Sequence, residues 1–165
     1  MNESNKRLVR RWVEEIFNAG TVEIAEQIVA VEFTEHAWAP FGQTAPGPVN
    51  GPQHARATRE FLRAQFPDLH MTIEAILAED DLVCTRIAAT GTNLGALNAL
   101  LPATGRTFTA RQAHWFRVTD GRLVEHWAIR DDLTAMLQLG VIARPGPPPH
   151  AAGTPASHSA QPAAS

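Results

Sequence analysis

Arg106 to Gly140 reads RTFTARQAHWFRVTDGRLVEHWAIRDDLTAMLQLG, and this stretch decides the fold. Thr107 to Val118 and Arg122 to Ile129 are rich in β-branched and aromatic residues and flank Thr119-Asp120-Gly121, the pattern of a β-hairpin. A two-residue turn at Asp120-Gly121 would pair Trp115 with His126 and set His114 opposite Trp127. A three-residue loop with Gly121 as the left-handed bulge residue sets His114 opposite His126. This second register is the one expected, because glycine takes positive φ without strain. One face then carries Gln112, His114, Phe116, Val124, His126 and Ala128, the other Trp115, Arg117, Leu123, Glu125 and Trp127. The first face reads as a pocket wall.

Outward from the hairpin, Leu133, Met136 and Leu137 recur at helical spacing and Gly140 stops the helix. Upstream, Leu82 to Thr92 reads as a strand with Cys84, Arg86 and Ala88 on one face, and Glu79-Asp80-Asp81 as the turn before it. Leu69, Met71, Ile73, Ala75 and Leu77 alternate with His70, Thr72, Glu74 and Ile76, the period of a half-buried strand. Between Asn93 and Gly105 a short turn of helix is expected. Gly51-Pro52 opens a helix that runs to about Gln65, with proline at its first position and Phe61 and Leu62 on the buried side. Phe33 to Trp38 reads as a strand carrying His36, followed by a Pro/Gly-rich loop from Pro40 to Asn50. At the start, Ser4 caps a helix built on Leu8, Val9, Trp12, Val13, Ile16 and Phe17 and ended by Gly20. Thr21 caps a shorter helix using Ala25, Ile28 and Val29.

The chain has 165 residues, enough for one domain with a real core. A net charge of -3 leaves no electrostatic footprint for nucleic acid. No apolar run approaches the ~20 residues that span a bilayer, and no signal-peptide core is present, so a cytoplasmic protein is expected. The single cysteine, Cys84, lies in an apolar run and reads as a buried, inert thiol. Residues 1–143 form the expected domain. Residues 144–165, rich in Pro, Ala and Ser, lack the apolar surface to offset their ordering entropy and are expected to be disordered.

Helices first, a curved antiparallel sheet after and a short closing helix make an α+β pattern. Several separated pieces resemble the SnoaL-like polyketide cyclase family, also called ester cyclases, within the nuclear transport factor 2-like superfamily. They are FTEH (Phe33 to His36), FPDLHMTIE (Phe66 to Glu74), GTNLG (Gly91 to Gly95), PATGR (Pro102 to Arg106), RVTDGRLVEHW (Arg117 to Trp127) and QLG (Gln138 to Gly140). The resemblance implies a cone: a bent antiparallel sheet packed on N-terminal helices, a ligand cavity inside, and oligomers formed through the outer sheet face. It also implies intramolecular aldol ring closure without metal or cofactor, by an aspartate and a histidine. The histidine matches His114. The aspartate's position holds Ala128, and a methyl group cannot move a proton.

An imidazole is the side chain best suited to proton transfer near neutrality, so His114, with His126 tuning it, is the candidate general base. Asp131 matches a second acidic position of the family and is the candidate carboxylate partner. Acidic residues in the first turn of the Leu133 helix also stabilise its dipole. His36, Phe116, His126 and Phe17 are the candidate substrate-binding residues. The scattered histidines give no metal-ligand spacing, so no metal or cofactor is expected. The expected function is acid/base ring closure, or a related proton transfer, on a polyketide-like aromatic ketone. Alternatives are a non-catalytic binding module for a hydrophobic small molecule and a hydroxylase or dehydratase of the same fold. Trp115 and Trp127 beside Arg117 and Glu125 suggest a homodimer or higher oligomer.

Overall fold

Five strands form one curved sheet in the order β1-β5-β4-β3-β2, comprising β1 (Val29–Glu35), β2 (His70–Glu79), β3 (Leu82–Thr92), β4 (Thr107–Thr119) and β5 (Arg122–Arg130). The computed structural model describes residues 2–37, 40–42, 51–98, 101–143 and 146. All neighbours are antiparallel except β1, which joins β5 in parallel and makes the sheet mixed. The helices α1 (Asn2–Arg11), α2 (Ala25–Ile28), α3 (Gly51–Gln65) and α4 (Asp132–Leu139) complete the α+β architecture. No described helix is long and apolar enough to cross a membrane. Residues 144 and 145 and the rest of the C-terminal segment, 146 excepted, lie outside the described residues, as do Trp38 and most of the 40–50 loop.

The N-terminal helix changes type midway. Beyond Arg11 it continues as a π-helix, Trp12–Ala19, rather than as the α-helix expected, with Ser4 inside α1. In a π-helix side chains five apart share a face, and the Trp12 and Phe17 rings meet at 5.3 Å. Gly20, at φ 87°, ends it. Its last carbonyls are satisfied from α3: Arg59 Nε donates to Ile16 O, and Arg63 Nη2 donates to the carbonyls of Phe17 and Asn18, each at 2.9 Å. Asn18 then clamps β2, donating to Met71 O at 2.8 Å and accepting from Met71 N at 2.9 Å. Two such bonds contribute about 1 kcal/mol each and fix the helix against the sheet.

The central hairpin departs from the expected register in two steps. Asp120 (φ 50°) and Gly121 (φ 70°) form a two-residue turn with Thr119 paired to Arg122, because a turn with both central residues at positive φ matches the right-handed twist of the strands and aspartate tolerates it. A bulge follows, since Val118 pairs with Leu123 but Arg117 with Glu125. Each step shifts the facing by one and the two cancel beyond Val124. Gln112, His114, Phe116 and His126 therefore share the inward face, whereas Leu123 is fully buried and Val124 only partly so, the reverse of the expectation. His114 sits opposite Ala128, and Phe116 opposite His126.

A second bulge, between Ile73 and Ala75, reverses the expected alternation in β2, so that Ile76 packs on the core and Leu77 is exposed. The described part of 93–105 contains no helix. Asn93, fully buried, donates to Gly95 O at 2.7 Å and accepts from Thr104 N at 2.8 Å, which ties the two ends of the segment together between β3 and β4. Cys84 is half-buried on the outer face rather than in the core, and burial pushes its thiol pKa up.

Candidate active site

Between the helices and the inward sheet face lies a cavity lined mainly by apolar groups, among them Trp12, Phe17, Phe61, Phe66, Phe108 and Phe116. Its polar groups cluster on the β1-β5-β4 side. Parallel pairing sets Glu35 beside His126, and the carboxylate lies 2.8 Å from His126 Nδ1. His126 Nε2 lies 2.9 Å from His114 Nδ1, and His114 Nε2 lies 2.9 Å from Gln112 Oε1. His54, from the buried side of α3, places Nε2 3.5 Å from Glu35. The imidazoles are stacked on the aromatic floor, with the Phe116 and His126 ring centroids 4.6 Å apart.

This chain of contacts has a defined electrostatics. Burial alone would raise the Glu35 pKa, but hydrogen bonds from His126 and His54, the His126 charge and the Ala37 amide outweigh it and hold the group at about 2. Burial, with His126 and Arg130 acting in the same sense and Glu35 against them, holds His114 well below its ordinary value. An ionised Glu35 only accepts, so His126 Nδ1 donates to it. Gln112 sets the polarity of the rest. With its carbonyl on His114 Nε2, His114 donates there and accepts at Nδ1 from His126 Nε2. With the amide turned over, Nε2 accepts, His114 donates from Nδ1 to His126, and both rings are neutral.

The model of the SnoaL-like polyketide cyclase family matches residues 7–139. The chain belongs to that family. Among its curated relatives, this SnoaL-like chain is 32% identical over 151 residues to the aklanonic acid methyl ester cyclase DauD of Streptomyces sp. strain C5, covering 86% of this chain and 89% of that one. It is 30% identical over 136 residues to the cyclase of the same description, DnrD, from Streptomyces peucetius, covering 81% and 88%. Among solved structures, IdmH of Streptomyces antibioticus superposes with a TM-score of 0.68 at 31% identity, covering 82% of this chain and 98% of that one. A SnoaL-like protein from Jannaschia sp. CCS1 shares the fold with a TM-score of 0.71 at 23% identity, covering 87% and 95%.

Within this SnoaL-like cavity lie His114, His126, Phe116 and Phe17. Two other candidates lie elsewhere. His36 is one residue past Glu35 and so points to the opposite sheet face, where it stacks on Trp127 at 4.6 Å and binds Glu125 at 2.8 Å. Asp131 is exposed and caps α4, accepting from Thr134 N at 3.0 Å, a bond that lowers its pKa. The carboxylates on the cavity are Glu35 and Asp132, and neither was singled out from sequence, nor were His54 and Arg130. Signals for two of them existed. Glu35 stands two residues after the core residue Phe33, hence on its face, and His54 lies on one helical stripe with Thr58, Phe61 and Leu62.

Proposed function

We propose that this protein is a cofactor-free cyclase that closes a ring in a polyketide-like aromatic ketone, with His114 carrying the proton. The observation behind this reading is the Glu35–His126–His114 relay ending on the cavity at Gln112. In the tautomer in which His114 donates from Nδ1 to His126, a ligand that displaces Gln112 meets a bare Nε2, which takes a proton from the carbon α to a carbonyl. The resulting enolate carbon attacks a second carbonyl of the same molecule, forming the ring C–C bond, and the alkoxide takes the proton back from His114. Glu35 and His126 stabilise the transient imidazolium, in the manner of a carboxylate orienting a catalytic histidine. One imidazole serving both steps removes the need for an acid at position 128.

Incubation with the methyl ester of an aklanonic-acid-type anthraquinone, followed by chromatography for the ring-closed isomer, tests the reading. Ring closure that disappears in His114→Ala is expected; turnover unchanged without His114 would reject it. One observation favours a second reading, a non-catalytic binding module: both His114 nitrogens are already engaged and position 128 lacks an acid. Tight ligand binding with no conversion would select it.

We also infer a homodimer through the outer sheet face. Trp127, Trp115, Cys84 and Leu77 form one row across four strands, flanked by exposed Ile129. Such a row is the kind of apolar surface that a second copy covers.

A further inference from the structure

Arg130 ends β5, and its Cα pairs with that of Gln112 across the β4–β5 ladder. Its guanidinium lines the cavity although the side chain is only 10% exposed. Burial pushes its pKa down against the pull of Asp132 and Glu35, yet a guanidinium stays charged in any case. Asp132 stands 3.9 Å away and is the more hydrated partner at 32% exposure, with its second oxygen taken by the Phe41 amide at 3.0 Å. Glu35, the other carboxylate on the cavity, is held by His126 and His54. Among the described residues His114, His126 and His54 complete the set of charged or titratable groups lining this cavity, and the proton affinity of His114 is lowered partly by Arg130.

An apolar cavity thus carries a fixed cation beside the Gln112 amide and the His114 ring. We propose that Arg130 receives an ionised oxygen of the ligand, so that the cavity takes an enolate or phenolate in preference to its neutral parent. The proposal rests on the reading of the cavity as a site for aromatic ketones and extends it by naming where negative charge is held. A ligand that displaces Gln112 from His114 Nε2 brings its α-carbon to the imidazole and its carbonyl oxygen towards the adjacent strand, where the guanidinium and the freed Gln112 amide can both donate to it. Charge that develops on that oxygen as the α-proton leaves then meets donors already in place in a water-poor site.

The experiment uses the full chain with 2-hydroxyanthraquinone, whose ionisation is read from its visible absorbance, and with 2-methylanthraquinone as a neutral analogue. On the wild-type protein the bound phenol should ionise ~1–3 pH units lower than free in buffer, as beside any close opposite charge. Arg130→Met should remove that shift while binding the methyl analogue within about twofold, and Arg130→Lys should keep part of it. Arg130→Gln repeats the measurement if the Met variant does not fold. A shift absent in the wild type, or equally large without the arginine, overturns the assignment while leaving the aromatic-ketone site intact, provided the methyl analogue binds. Failure of both anthraquinones to bind the wild type overturns both readings, and failure of the hydroxy compound alone overturns the arginine assignment.

Discussion

His114 Nδ1 lies 2.9 Å from His126 Nε2 although the two residues are not cross-strand partners. His114 is paired with Ala128 and His126 with Phe116, so the contact is a diagonal one on the inward face. The residue across the ladder from His114 is an alanine.

Replacing His114 by Ala should lower turnover by ~10²–10⁴, the usual worth of general acid/base catalysis, while ligand affinity changes only a few-fold. Steady-state kinetics beside a binding titration separate the two quantities. Equal losses in both would make His114 a binding residue.

Acid should destabilise the fold in two stages. The folded protein holds His114 neutral, so below its ordinary value of 6.5 the unfolded chain binds the extra proton and stability falls. Glu35, held at about 2 against 4.5 when exposed, contributes stability that is complete above 4.5 and lost as the pH falls towards 2. Its share is on the order of 3 kcal/mol. Glu35→Gln should flatten the lower stage of a melting-temperature profile, and His114→Gln the upper. Unchanged profiles would refute the relay's charge assignment.

Trp115→Arg should convert an assembly into monomers, since Trp115 and Trp127, half-buried on the outer face, still leave apolar surface worth on the order of 1 kcal/mol each without cover. Sedimentation velocity at tens of micromolar reads the outcome directly. A wild-type protein that already sediments as a monomer would reject the sheet-face dimer.

Truncation after Ala143 should leave the melting temperature nearly unchanged, because the Pro/Ala/Ser-rich segment beyond it has too little apolar surface to dock. A drop of many degrees would mean that the segment packs on the domain.

The α+β pattern, the span of α3 and the strand β3 were legible because proline, glycine and period-two alternation act locally. The two bulges were not. They and the two-residue turn depend on how neighbouring strands pair, and together they reassigned Leu77, Leu123 and Val124. The site was half legible: His114 and His126 announced themselves as polar residues on an inward face. Glu35 did not, because its meeting with His126 depends on a parallel pairing between segments 91 residues apart. His36 and Asp131 misled for a related reason, since strand parity and a helix cap decide where those side chains go.

Gln112 on His114 Nε2 makes the cavity its own competitor. An amide tethered two residues away on the same strand is present at a high effective concentration, so a ligand must outbid it before the imidazole becomes available. Small or poorly fitting molecules lack the contact area to do so and leave the base covered. Selectivity in this cavity would then be exercised in gaining access to the base, ahead of any discrimination during the reaction itself.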